Sequence, residues 1–289
     1  MPELPEVETI ARGLHKRVAG DTIESVWIGS RPQPLKSSAA VIASTLEGKR
    51  IARVHRAGKH IVFDLEGAFA RRKKGSPSPS HQTQRAASLR QKAQWIVHLG
   101  MTGRMVVCDP VAEIAKHTHL IATLASGREL RFVDPRMFGK LSVHASGFDP
   151  GGVEPLEAGE EQFLALFRGR NTPIKSALLN QKLLRGVGNI YADESLFRAG
   201  IRPRRRAASL TRQQLRKLHR SVQEVLREAI ALGGSSISDY VDADGEEGFF
   251  QLQHRVYGRE AEPCLVCQAA IKRIVLAGRS SHYCPECQK

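Results

Sequence analysis

Apolar residues first recur at three- and four-residue steps, at Val7, Ile10, Leu14 and Val18. That spacing is one face of an α-helix, with Pro5 suited to its start and Gly20 to its end, so a helix is expected over residues 5–19. From Thr22 to His144 the pattern changes to short β-branched runs: Ser25 to Ile28, His60 to Leu65, Trp95 to Leu99, His119 to Leu124, Glu129 to Val133 and Lys140 to Val143. Turn residues punctuate these runs, which predicts a sandwich or barrel. After a Gly/Pro-rich linker near Pro150 to Pro155, helical spacing returns over Glu160 to Phe167, Pro173 to Leu184, Asn189 to Ala199 and Thr211 to Leu232. The last stretch aligns Leu215, Leu218, Val222, Val225, Leu226, Ala229 and Ile230, with a Thr211 to Gln214 capping box before it and Gly233-Gly234 beyond it. That stripe is core packing.

Three parts follow: residues 1–150, 151–234 and 235–289. One segment, roughly 67 to 94, interrupts the strand pattern with Arg71-Arg72-Lys73-Lys74, a Ser/Pro stretch and no acidic residue. It reads as a disordered basic insertion, either simply solvated or in loose contact with phosphate.

Charge narrows the class. With 44 Lys and Arg against 29 Asp and Glu, the chain carries a formal net charge of +15 over 289 residues. Such an excess answers a polyanion, nucleic acid before an anionic membrane. The apolar runs are too short for a membrane span, and the acidic, prolyl start lacks the pattern of a signal peptide. A cytoplasmic protein is expected.

Of five cysteines, Cys108 stands alone and reads as a small buried apolar group. Cys264-x2-Cys267 and Cys284-x2-Cys287 have the spacing of two knuckles around one four-thiolate zinc, a closed and therefore structural site. Lys272 to Leu276 and Ser281 to Tyr283 read as strands of a hairpin that presents Arg279 in its connecting turn, solvated or meeting phosphate. Leu184 to Asn189 is a glycine-rich turn between helices in which Asn189 can cap the second, leaving backbone N–H groups for a phosphate oxygen or serving plain packing. Pro2 and Glu3, by spacing alone, suit a helix N-terminus.

Taken together, Met1-Pro2-Glu3-Leu4-Pro5-Glu6-Val7-Glu8-Thr9, Gly58-Lys59-His60, His98-Leu99-Gly100-Met101-Thr102-Gly103, Asp134-Pro135-Arg136-Met137-Phe138-Gly139, the segment 186–194 and the terminal cysteine pattern resemble the formamidopyrimidine-DNA glycosylase family, in order and over the whole chain. The resemblance implies an α+β multidomain fold: an N-terminal β-sandwich with a leading helix, a helix-two-turn-helix domain and a C-terminal zinc-bound β-hairpin. It implies a monomer that acts on damaged double-stranded DNA in base-excision repair.

By the same resemblance Met1 is removed and the amine of Pro2 attacks the sugar C1′ of an oxidised purine nucleotide, with Glu3 as the acid, supported by Glu6. Lys59 then corresponds to a lysine assisting β-elimination, and Arg279 to the hairpin arginine of phosphate binding and δ-elimination. A terminal amine, with a pKa near 8 against about 10.4 for lysine, is neutral roughly a hundredfold more often at neutral pH. Met101, Arg136 and Phe138 match residues that fill the gap left by a flipped nucleotide. His117, Arg170, Lys175 and Asn189 match contacts to the DNA backbone, and residues 233–248 resemble a loop closing over the everted base.

Two departures stand out: the basic insertion, and Met137 where the family usually has a basic residue. Two other readings compete: an endonuclease VIII-like glycosylase for oxidised pyrimidines, against which Leu4 and the 134–139 segment speak, and a non-catalytic, zinc-braced DNA-binding protein. Only Pro2, Glu3 and Lys59 separate the last from an enzyme.

Overall fold

The computed structural model of the chain describes residues 1–67, 92–145, 147–235 and 248–289. Residues 68–91 of the expected basic insertion and most of the expected closing loop lie outside the described residues, while Gly67, Ala93 and Gln94 at the insertion's expected edges belong to strands. The chain forms two compact units: one gathers Met1–Pro2 with Val7–Asp149, the other Glu3–Glu6 with residues 150–235 and 248–289. Among the described residues no helix is long and apolar enough to cross a membrane.

The first unit holds most of helix α1, Leu4–Val18. Its expected apolar face is buried, with Val7, Leu14 and Val18 at 0 % exposure. Eight strands build two antiparallel four-stranded sheets. β1 (Ile23–Ile28), β6 (Thr118–Leu124), β7 (Glu129–Val133) and β5 (Arg104–Cys108) form one, in the order β1-β6-β7-β5. β2 (Lys49–Ala57), β3 (His60–Gly67), β4 (Ala93–His98) and β8 (Lys140–His144) form the other, in chain order. Ile61, Val62, Phe63 and Leu65 of β3 are all buried, and Phe63 stacks on Trp95 of β4 at 4.7 Å.

Two strands and one helix lie where no periodic signal was read. In β2 the register slips between Ile51 and Arg53, so the buried Ile51 and Val54 fall three residues apart and the period-two signature disappears. β5 buries only Met105 fully, too little to show alternation. Helix α2, Ala39–Leu46, is capped by the Ser38 hydroxyl and buries Ile42 and Leu46.

The second unit is helical. α3 (Glu160–Phe167), α5 (Asn189–Ala199) and α6 (Arg212–Ala231) lie where the periodicity puts them, and the Thr211 to Gln214 capping box closes from both sides. α4, Ile174–Leu178, is far shorter than the expected Pro173 to Leu184. The Asn180 carboxamide accepts from the Lys182 N–H at 3.0 Å, the local competition by which Asn turns a chain. The strand-like bridge of Val153 with Leu184 then pulls the chain out of helix. A hairpin of β9 (Lys272–Leu276) and β10 (Arg279–Tyr283) ends the unit.

Each unit holds a neutral histidine, half-buried at His98 and buried at His254. Burial pushes His98 on β4 and His254, packed between Phe250 and Tyr257, down to about 4. Unfolded histidine titrates near about 6.5, so between there and pH 4 the unfolded chain binds more protons than the folded one. The stability contributed is complete above the unfolded value and is lost as pH falls through this window. Thermal melts should therefore show the melting temperature dropping from pH 6.5 to 4, and His254→Gln should flatten that slope. An unchanged slope in the variant would refute the assignment.

Candidate active site and DNA-facing surface

The chain's start is anchored within the helical unit. Leu4 is fully buried among Phe163, Leu184, Val187 and Tyr191, and its N–H donates to the Gly186 carbonyl at 3.0 Å. A Cβ on Gly186 would lie 2.8 Å from Leu4 Cδ1, so only glycine lets the turn approach. Glu3, 4 % exposed, sends its Oε1 to the N–H of Ile190 at 3.1 Å, in the first turn of α5. This corrects the expectation that Asn189 caps that helix: Gly188 is the cap residue, makes no side-chain cap bond, and leaves the space Glu3 fills. A Cβ at Gly188 would sit 2.2 Å from the Glu3 carboxyl carbon.

Glu6 ties the same corner together. Its Oε2 accepts from the Glu3 N–H at 2.8 Å, and its Oε1 accepts from the Ser235 N–H at 2.8 Å and from the Tyr191 hydroxyl. Burial, and then Glu6 itself, raise the Tyr191 pKa well above its usual value, so the phenol remains a donor. Pro2, immediately before this corner, is half-buried, and Met1 is 46 % exposed.

In the strand unit, Lys59 occupies the second position of a two-residue hairpin between β2 and β3 and is buried, at 8 % exposure. Gly58, at φ 59°, takes the first position, as a type II′ turn needs. Met101, Arg136 and Phe138 project from two loops of this same unit and all are exposed, the Arg136 guanidinium lying 4.9 Å above the Phe138 ring. His117 is half-buried at the start of β6, its carbonyl accepting from the Asp134 N–H at 3.0 Å. Arg170 is exposed on the helical unit.

Lys175 departs from expectation. It has no exposure, its ammonium pairs with Asp193 Oδ1 at 2.7 Å, and it donates to the Ser280 carbonyl of β10 at 2.6 Å. Burial lowers its pKa, opposed by Asp193. This lysine is a strut that ties the hairpin to α5. Asp193 Oδ2 accepts from the His282 N–H at 2.9 Å, and the Asn189 carboxamide donates to the Ser280 hydroxyl at 3.3 Å. Arg279 is exposed and opens β10, beside the hairpin turn and not within it; Ala277 and Gly278, at φ 48° and 75°, make the two-residue turn.

The four cysteines fit zinc. Their sulfurs lie within 4.8 Å of one another, with Cys264 and Cys287 at 3.9 Å and Cys267 and Cys284 at 3.4 Å. Tetrahedral coordination at about 2.3 Å per Zn–S bond spaces sulfurs about 3.8 Å apart. Cys264, Cys267, Cys284 and Cys287 hold one structural zinc, which cross-links the two knuckles.

Sequence reasoning passed over Tyr191, Asp193, Ser235, Tyr257 and His282. Tyr257 packs edge-on against His282 at 5.2 Å and has its phenol pKa raised by burial. Tyr191 and Asp193 lie in the 186–194 segment and Ser235 in the closing loop, but only the fold brings these side chains together. The one usable signal was composition: Asp193 and Glu194 are acids on a helix face otherwise apolar, and buried acids need partners.

A sandwich, a helical segment with a glycine-rich turn and a four-thiolate hairpin in one basic chain define a class, zinc-hairpin proteins built to handle DNA. Comparison with known proteins makes this specific. The chain matches the formamidopyrimidine-DNA glycosylase N-terminal domain over residues 1–141, the H2TH domain over 152–241, and the zinc finger found in FPG and IleRS over 261–289. It therefore belongs to the formamidopyrimidine-DNA glycosylase family. The formamidopyrimidine-DNA glycosylase of Solibacter usitatus is 42 % identical over 299 residues, covering all of both chains, and that of Gluconobacter oxydans 40 % over 302, again covering both fully. Among solved structures, the Lactococcus lactis Fpg in complex with DNA containing an abasic site is similar at a TM-score of 0.84, with 33 % identity over 99 % of each chain. The MutM (Fpg) protein of Thermus thermophilus gives 0.81, with 39 % identity over 99 % of this chain and 98 % of that one.

Two outcomes follow for the hairpin. Lys175→Ala leaves the Asp193 charge buried without its ammonium and should destabilise the protein by roughly 3–5 kcal/mol, whereas Lys175→Met with Asp193→Leu should recover part of that loss; urea melts compare them. Blocking the thiols with an organic mercurial should release one zinc per chain to a chromogenic chelator and loosen the hairpin to proteolysis. A hairpin as resistant without metal as with it would remove the zinc from its structural role.

Proposed function

We propose that the protein excises oxidised purines, 8-oxoguanine and formamidopyrimidines, from duplex DNA and then cleaves the strand, using the N-terminal amine of Pro2 after loss of Met1. The observation that carries this reading is the buried Glu3 carboxylate, held by the α5 N-terminus directly beside the proline. An acid fixed one residue from the nucleophile is in place to protonate the sugar as the base departs.

Neutral amine attacks C1′ and the glycosidic bond breaks with its electrons leaving on the base; the amine loses its proton, its lone pair then expels O4′, which takes a proton, and an iminium links Pro2 to the opened sugar. The iminium draws electrons from C2′, whose proton is lost as the C3′–O bond breaks; a second elimination breaks C5′–O. Lys59, buried on its tight turn, serves the first elimination, and Arg279, exposed where β10 begins, holds phosphate for the second. Met101, Arg136 and Phe138 fill the gap of the everted nucleotide: exposed apolar groups are costly to leave in water and find bases to stack on, and Arg136 can bond the orphaned partner base. Arg170, His117 and Asn189 position the DNA backbone. A cytoplasmic, nucleoid-associated monomer is the setting of this reading, supported by four thiols that the fold keeps for metal and not for disulfides.

Borohydride should trap the mature protein covalently on a duplex with 8-oxoguanine opposite cytosine, and Pro2→Gly or a retained Met1 should weaken or abolish the adduct. No adduct with the mature protein would leave a zinc-braced DNA-binding protein. Trapping confined to oxidised pyrimidines would move it to the endonuclease VIII-like enzymes.

A further inference from the structure

The two loops that carry Met101, Arg136 and Phe138 are built as one piece around a buried acid. Asp134 has no exposure and no ion-pair partner among the described residues. Its Oδ1 accepts from the Thr102 hydroxyl at 2.6 Å and from the Arg136 N–H at 3.2 Å, and its Oδ2 from the Gly139 N–H at 2.7 Å. Its carbonyl bonds His119 Nε2 at 2.9 Å and the Met137 N–H at 3.3 Å, so the group is tied to β6 from behind.

The backbones of the loops also touch. Gly100, at φ 65°, has no room for a side chain: its Cβ would lie 2.6 Å from Gly139 N and from the Phe138 carbonyl carbon. Met137, a non-glycine residue at φ 56°, is held in the left-handed region between Arg136 and Phe138, where backbone strain persists only if the surroundings enforce it. The enforcing contacts are those of Asp134.

We propose that Asp134 is a positioning residue that, through the Thr102 hydroxyl, locks the loops 99–103 and 134–139 into a single preorganised wedge. The proposal rests on the reading of Met101, Arg136 and Phe138 as gap-filling residues. A wedge displaces a nucleotide from its stack in competition with the base's return, and every side chain that must first be ordered slows or weakens that step. A carboxylate bonded to two N–H groups and one hydroxyl holds both loops in place before DNA arrives, and these charge-assisted bonds are the strong ones available to uncharged donors.

Thr102→Val removes the hydroxyl at constant shape, Thr102→Ser restores it, and Asp134→Asn keeps the volume while weakening the acceptor. A 2-aminopurine beside the lesion reports eversion by stopped-flow fluorescence, single-turnover excision reports chemistry on the duplex, and borohydride trapping on a single-stranded abasic oligonucleotide reports chemistry with no stack to open. Thr102→Val and Asp134→Asn should slow eversion and duplex excision by roughly tenfold or more, leave single-strand trapping unchanged, and Thr102→Ser should recover the duplex rates. Eversion at the wild-type rate in Thr102→Val and Asp134→Asn, with Met101→Ala and Phe138→Ala slow, would overturn the lock and spare the wedge. Wild-type eversion in Met101→Ala and Phe138→Ala would overturn the wedge itself. Equal losses on duplex and single strand would mark a general structural role and overturn the lock as well.

Discussion

The N-terminal corner of this chain depends on a leucine being buried at the wrong end of its own helix. Leu4 opens α1, whose later turns pack in the strand unit, yet its side chain lies in the core of the helical unit. Ordering a chain terminus costs about 1–2 kcal/mol per residue in backbone entropy. Burying a leucine contributes about 1.5–3 kcal/mol, and a carboxylate capping a helix about 0.5–2 kcal/mol. Leu4 and Glu3 together are thus comparable to the cost of fixing residues 2–4, and the bonds that Glu6 accepts from Glu3, Tyr191 and Ser235 tip the balance. A terminal amine is useful as a nucleophile only if it stays put, and this corner supplies the restraint.

The same solution recurs wherever a functional group must approach backbone closely. Gly186 admits Leu4, Gly188 admits the Glu3 carboxylate, Gly234 admits Glu6, and Gly100 admits the opposite loop; a methyl group at any of them would fall within 3 Å of its neighbour. At Gly186, Gly234 and Gly100 the partner is an anchor, whereas at Gly188 it is the Glu3 carboxyl group itself. The chemistry of the site is carried by few residues, and the glycines around them decide whether those residues can be where the chemistry needs them.

The sequence made the fold class legible where apolar runs and helical spacing coincide with what the fold buries, as with the almost wholly buried β7, α3 and the capped α6. It failed where a local device broke the period. A bulge after Ile51 hid β2, and the Asn180 turn cut α4 well short of its expected span. Of the site, the four cysteines were legible from residue type and spacing, while Pro2-Glu3 and Gly58-Lys59 stood out only through the whole-chain resemblance. The supports of the site were not legible. That Glu3, and not Asn189, satisfies the first turn of α5 joins residues 187 apart, and no pattern in one sequence encodes such a pair.

Charge shows most clearly what a sequence conceals. A net +15 points correctly to a polyanion, but it counts every cation alike. Lys175 and Arg131 are among the most buried side chains in the protein, one paired with Asp193 and the other with Glu129, each at 2.7 Å. Each holds a segment in place, the hairpin in one case and the 112–113 loop in the other. Exposed Arg136, Arg170 and Arg279 keep their charge at the surface. The buried cations fix geometry, where loss of one partner strands a charge in low dielectric, and the exposed ones supply affinity, where loss of one is screened by salt. A lysine that matches a DNA contact by position can therefore belong to either group, and only its burial tells which.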